Sequence, residues 1–219
     1  MKMIKITYWL PAINRIARYF IISDLIMWSG WGFVDPIFSI FVIKNIAGAT
    51  LVAIGFLATI YWITKGILQI PVSLFLDRTD GEKDDFYALI FGLMITGISA
   101  FSFMIVRTMP QVYLVQFIKA IGFALYIPAW SAIFSRHLDK KHMAFDWAVS
   151  SSSVSIGIGI AGFIGGSIAS IAGFNFVFLV TGLMALVSAV LLLFVPDLIL
   201  PKTTVETPKL TDHAQAGIK

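Results

Sequence analysis

Residues 24–41 read DLIMWSGWGFVDPIFSIF. The stretch is almost wholly apolar, yet it carries Asp24 and Asp35, Trp28 and Trp31, Gly30 and Gly32, and Pro36. A carboxylate followed by a proline inside such a run needs a physical reason.

Composition identifies the solvent. Hydrophobic residues make up 58% of the 219-residue chain and charged residues 13%. The mean hydropathy is +0.90. A soluble domain is about 45–50% apolar and about 25% charged. This chain cannot cover itself with polar surface in water, so it reads as an all-α, multi-pass integral membrane protein in contact with lipid. The absence of cysteine leaves the redox compartment unread. Pro11, Asn14, Arg15 and Arg18 interrupt any apolar core near the N-terminus, so no secretory signal is expected there. Residues 1–17 instead suit a basic amphipathic lead-in on the membrane surface. The pI near 9.3 follows from basic residues flanking the spans and requires no nucleic acid.

A transmembrane helix needs about 20 mostly apolar residues. Six segments qualify: 18–43, 50–76, 86–106, 111–134, 145–172 and 174–195. They are separated by turn residues or charge in KNIAGAT, DRTDGEKDD, RTMPQ, SRHLDKKH and AGFN. The expected organisation is a six-helix membrane domain over 18–195 and a disordered cytoplasmic tail over 196–219, which is polar and contains Pro201 and Pro208. Twelve of the sixteen Lys and Arg residues fall on one side of this arrangement, and only Lys44 and Arg107 on the other. That bias predicts cytoplasmic N- and C-termini.

The two remaining cations, Lys65 and Lys119, lie inside spans with Asp24 and Asp35. Intramembrane charges are costly and face a cavity or a partner. At 100° per residue, Asp24, Trp28, Trp31 and Asp35 form one stripe. Tyr61, Lys65, Gln69 and Ser73 form a second. Gln116, Lys119, Tyr126 and Trp130 form a third. Such surfaces suit a polar organic solute, with rings for stacking and groups for hydrogen bonding. Asp35 and Lys119 each lie nine residues from the outer end of their spans, so both sit about 13 Å deep. They are expected to form an ion pair. Lys65 is about 18 Å from the cytoplasmic end and within reach of either aspartate. Pro36, with Gly30 and Gly32, marks the first span as one that bends. Against these readings, the tryptophans could belt the interface, and the glycines of GIGIAGFIGG could serve close helix packing. The serines of SSSSVS could cap the fifth helix. His137, His142 and His213 have no ligand-like spacing, and no metal site, nucleotide loop or nucleophile arrangement stands out. No enzyme activity and no cofactor are expected.

DPIFSIF in the first span and IPAWSAIF in the fourth share Pro, one residue, an aromatic and Ser, with Pro36 matching Pro128. This suggests a three-plus-three inverted repeat, a common transporter architecture. Residues 71–85, PVSLFLDRTDGEKDD, resemble the cytoplasmic signature of the major facilitator superfamily, G-x-L-A-D-R-x-G-R-K. Asp77 and Arg78 match. Ser73 replaces the usual Gly, Phe75 the usual Leu, and Asp80 displaces Gly81 by one place. Residues 116–166 are similar to the family's fourth helix, basic loop and glycine-rich fifth helix. The family's Arg is missing there: Ile118 holds its place, beside Lys119. Phe163 stands where antiporter members often carry Pro.

The resemblance spans about residues 18–195 and implies the N-terminal six-helix half of a major facilitator fold. Its first and fourth helices would line a pathway with the second beside them, and the loop at Asp77 and Arg78 would act as a gate. It implies a proton-coupled secondary transporter of a small organic solute, sugar-like or amphipathic. The chain would work by alternating access as a parallel homodimer in the cytoplasmic membrane of a bacterium or archaeon. One half of a split heterodimeric transporter and a non-transporting accessory protein are the alternatives.

Overall fold

A computed structural model describes residues 13–78 and 82–194. The tail 196–219, most of the lead-in 1–17, and Asp80 and Gly81 of the signature loop lie outside the described residues. The described chain forms seven helices: α1 Arg15–Val34, α2 Phe38–Asn45, α3 Leu51–Leu76, α4 Lys83–Ser102, α5 Met109–Arg136, α6 Met143–Ala172 and α7 Phe174–Leu193. Five are long and apolar enough to cross a membrane, and α1 with α2 makes a sixth crossing bent by 42°. The expected spans are therefore met, with small differences at the ends.

The bend falls at Asp35 and Pro36. The Asp35 N–H still closes a helical bond to Trp31 O at 3.0 Å. Proline has no N–H to continue the ladder. The chain tightens through Ile37 N–H to Val34 O, 3.0 Å, and then restarts with Phe41 N–H to Ile37 O, 2.9 Å. Pro71 and Pro128 lie inside α3 and α5, neither of which is divided there.

Local chemistry sets the other ends. Asn14 accepts from Ile16 N–H at the start of α1. Thr50 accepts from Ala53 N–H at the start of α3. Thr108 and Gln111 form a reciprocal cap on α5. Between α6 and α7 the chain turns on the single residue Gly173, at φ +84°, a conformation that glycine adopts without steric cost.

The packing repeats itself. Helix α1 packs on α6 and α7, while α5 packs on α3 and α4. Exchanging α1, α3 and α4 for α5, α6 and α7 maps the neighbours of α1 onto those of α5, although the α6–α7 contact has no α3–α4 counterpart of similar extent. The two self-paired contacts, α1 with α5 and α4 with α7, cross the centre. Because the two triplets start on opposite sides of the membrane, this is the contact pattern of an inverted repeat.

Lipid offers apolar side chains no drive to associate, so close backbone approach and interhelical hydrogen bonds carry the packing. A Cβ on Gly92 of α4 would stand 2.8 Å from Gly122 O and from Tyr126 N of α5. One on Gly32 would stand 3.0 Å from Ile158 Cα of α6. One on Gly30 would stand 3.1 Å from Met184 Cβ of α7. Gly30 and Gly32 thus seat α1 against its neighbours rather than bend it. Ser23 and Ser188 share a 2.7 Å hydroxyl bond, and Thr181 Oγ1 donates to Gly30 O at 2.8 Å. All four hold α1 to α7.

The α6 glycines divide. A Cβ on Gly165 would run into the Phe33 backbone of α1, whereas one on Gly166 would meet nothing within 4 Å. Gly165→Ala is therefore expected to lower stability by roughly 1–3 kcal/mol. Gly166→Ala should change it by less than about 1 kcal/mol, in the stabilising direction. Thermal unfolding of both variants in detergent checks this contrast, and equal losses would contradict the observed α1–α6 seat.

Candidate functional site

The α1–α5 crossing is built around Phe123, which is 1% exposed. Its ring centre lies 5.3 Å from that of Trp28, 5.9 Å from Trp31, 5.8 Å from Tyr61 and 6.3 Å from Tyr126. One side chain thereby joins the stripes expected on the first, second and fourth spans. Sequence reasoning missed it, although it lies four residues after Lys119, on the same helical face.

The four intramembrane charges are matched unequally. Asp24 is buried and accepts hydrogen bonds from the Tyr126 hydroxyl and the Trp28 side chain. The expected Asp35–Lys119 ion pair is not closed. Among the described residues Arg136 pairs with Asp85, and the His137 and His142 rings lie 3.5 and 2.9 Å from the Glu82 and Asp139 carboxylates. The Lys119 ammonium sits instead over the Trp31 ring, 3.7 Å from its centre, and 5.1 Å from that of Tyr61. Asp35 acts on it as the neighbouring opposite charge. Lys65 reaches neither aspartate. Its ammonium lies 3.8 Å from the Trp62 ring centre and 5.2 Å from that of Tyr61. A desolvated ammonium over an aromatic face gains about 2 kcal/mol or more. That offsets part of its removal from water and lets a lysine stay charged without a touching carboxylate.

The remaining expected site residues fall around this centre. Gln116 is 6% exposed, one turn before Lys119. Gln69 lines a cavity of about 350 Å³ on the α3–α5 seam with Ser73 and Pro128. Trp130 stands apart: it stacks on Phe134, with ring centres 4.6 Å apart, and meets Trp147 of α6 edge-on.

A second polar layer lies at the end of the bundle where α3 and α5 finish and α4 and α6 begin. Asp77 terminates α3 through its N–H to Ser73 O, 2.9 Å, and is exposed. Arg78 is exposed beside it, and no ion pair among the described residues includes it. The fully buried Asp85 accepts from the Arg136 guanidinium. This α4–α5 pair was also missed in the sequence. Asp146 accepts from Asp139 N–H at 3.2 Å. The His142 ring beside Asp139 holds its carboxyl below the usual carboxylate range.

A polar wall on α1, α3 and α5, an inverted six-helix repeat and a charged layer at one end now stand together. Residues 20–217 match the family model of the Major Facilitator Superfamily. The chain belongs to the major facilitator superfamily. It is 25% identical over 162 residues to an uncharacterized MFS-type transporter of Methanocaldococcus jannaschii, a match covering 74% of this chain and 40% of that protein. It thus spans about 40% of the length of that curated relative. The POT family transporter PepTSo has the same fold over 85% of this chain and 38% of its own, with a TM-score of 0.62 and 13% identity. Within this superfamily member, Asp24 and Tyr126 tie α1 to α5 beside Phe123, the residue at which the three stripes meet.

A double-mutant cycle with Tyr126→Phe and Asp24→Asn should give a coupling on the order of 1–2 kcal/mol in unfolding free energy. Additive losses would mean that the two groups do not act as a pair.

Proposed function

We propose that this chain supplies one six-helix body of a secondary transporter for a small organic solute, working by alternating access. The observation that carries this reading is Asp35. It lies at the break between α1 and α2, inside the first membrane crossing, and it is exposed on the six-helix body. Hydrocarbon is a costly surroundings for a carboxylate. A second body that roofs the α1, α3 and α5 wall would convert this exposure into a water-filled pathway. The flanks fit such a roof, because α3 and α6 are the least buried of the membrane-crossing helices.

The second body is read as another copy of the chain in parallel orientation, related by a twofold axis along the pathway. The Lys and Arg bias places Arg15, Arg18, Arg78, Lys83, Arg136, Lys140 and Lys141 at one end of the bundle, taken as the cytoplasmic end. In that dimer the exposed Asp77 meets the partner's α6 at its N-terminus, where unpaired N–H groups and the helix dipole favour a carboxylate. Arg78 stands beside it, and the pair forms the cytoplasmic gate. Asp35 carries the coupling proton, since it joins the pathway to the bend.

In proteoliposomes, Asp35→Asn is expected to retain downhill exchange of solute and to lose accumulation driven by a pH gradient. Undiminished uphill transport would reduce Asp35 to a structural residue. Native mass measurement of the detergent-extracted chain should show a two-chain species. A complex with a different six-helix chain would favour the split heterodimer, and a strictly monomeric active protein would overturn the dimer.

A further inference from the structure

The charge inventory of the wall is uneven. Asp24 is served by donors within the bundle, and it lies eleven residues from Asp35, about 16 Å along the helix. What remains around Tyr61 is one carboxylate, Asp35, against two ammoniums, Lys65 and Lys119. Neither ammonium belongs to an ion pair among the described residues. Both lie close to the Tyr61 ring, 5.2 and 5.1 Å from its centre, so they are no more than about 10 Å apart. Beside them, the indole N–H of the fully buried Trp31 has no hydrogen-bond partner among the described residues.

Two bland roles for the lysines do not fit. Lys65 lies about 18 Å from the end of its span, which is too deep for its head to snorkel to the interface. A purely structural ion pair needs a touching carboxylate, and neither lysine has one. A cationic solute would add to an existing excess of positive charge. A neutral solute would leave that excess unanswered in a site where low dielectric makes it most costly.

We infer that Lys65, Lys119 and Trp31 bind the charged group of a small organic anion, a carboxylate or phosphate, over the Tyr61 ring. This rests on the reading of the chain as a transporter and names its solute class. An ammonium is a compact donor with freely rotating N–H bonds and suits either anion. Charge-assisted bonds of this kind are about twice as strong as neutral ones. The separation of the two heads suits one shared anionic group or the two ends of a short diacid. Asp35 stands on the other side of the balance: it is the neighbouring opposite charge of Lys119 when the site is empty and opposes the anion when it is filled.

Titrations of the purified full chain at constant ionic strength test this, using succinate, glycerol 3-phosphate, mannitol and tetraphenylphosphonium as probes and the unfolding midpoint as readout. Succinate or glycerol 3-phosphate should raise the midpoint saturably, and mannitol and tetraphenylphosphonium should not. Lys65→Gln and Lys119→Gln should each weaken that binding at least tenfold, and Lys119→Arg should restore part of it. Asp35→Asn should tighten binding severalfold, because it removes the opposing charge. That last outcome is one a merely structural role for the lysines does not produce. No saturable shift with either anion overturns the inference, as does unchanged affinity in both Lys→Gln variants or weaker binding in Asp35→Asn. Proteoliposome flux separates the two readings. Uptake of the neutral or cationic probe alone sinks the anion site and keeps the transporter. Saturable anion binding without flux of any probe keeps the site and sinks the transporter.

Discussion

Polar groups at membrane depth in this fold have to be answered by protein or by a water-filled cavity, because the hydrocarbon around them cannot do so. The α1–α5 crossing shows how. Asp24 receives the Tyr126 hydroxyl, the lysines are seated on rings, and Phe123 fills the space between. None of this is possible unless the helices approach closely. Gly92 and Gly122 bring α4 against α5, and Gly30 and Gly32 bring α7 and α6 against α1. The small residues are therefore the precondition for the polar chemistry. They set the distances over which short side chains such as Ser23, Ser188 and Thr181 can bond.

The division of labour among helices follows from the same constraint. Helices α4 and α7 are the inner scaffold, and they carry glycine, serine and threonine rather than charge through their middles. Helices α1 and α5 cross the centre and carry most of the wall. Helices α3 and α6 stand at the flanks with long exposed faces, and of these α3 alone contributes a charged group to the wall, Lys65, through its inner edge. The inverted repeat makes α3 and α6 counterparts, and both turn glycines to open space, Gly55 and Gly66 on α3 and Gly159 and Gly166 on α6, but Lys65 of α3 has no charged counterpart in the middle of α6. Pseudo-symmetry of the backbone coexists with an asymmetric distribution of charge.

Much of the architecture was legible in the sequence. Apolar length gives the spans, Lys and Arg sort their ends, and Pro36 announces the break in the first crossing. The side chains were less legible, for identifiable reasons. Equal depth of Asp35 and Lys119 suggested a bond, but depth says nothing about the competing attraction of Trp31, four residues before Asp35. Periodicity placed Lys119 and Tyr126 on one face, yet a phenylalanine between them carried no polar flag. Asp85 and Arg136 lay at the edges of their assigned spans and read as flanking charge. Only the antiparallel pairing of α4 with α5 brings them to the same level. The α6 glycines illustrate a further limit. Residues 165 and 166 are chemically identical in sequence, and only the direction each takes from the helix separates a seat for Phe33 from an open face.

Asp35 connects the electrostatic and mechanical parts of the molecule. Its N–H makes the last regular bond of α1, to the carbonyl of Trp31. The ring of that same tryptophan carries the Lys119 ammonium. Trp31 is 1% exposed and packed on Phe123, so it belongs to the fixed crossing. Pro36 follows Asp35 and cannot extend the ladder. The carboxylate thus sits at the boundary between a helix held by the core and a short helix, α2, that leaves at an angle of 42°. The distance between the carboxylate and the ammonium therefore depends on how the chain is held at this break. Any change in the charge on Asp35, or any anion that competes for Lys119, acts on the same distance from the other direction. The Asp-Pro step inside an apolar run is where a local charge balance and the direction of a membrane helix become one variable.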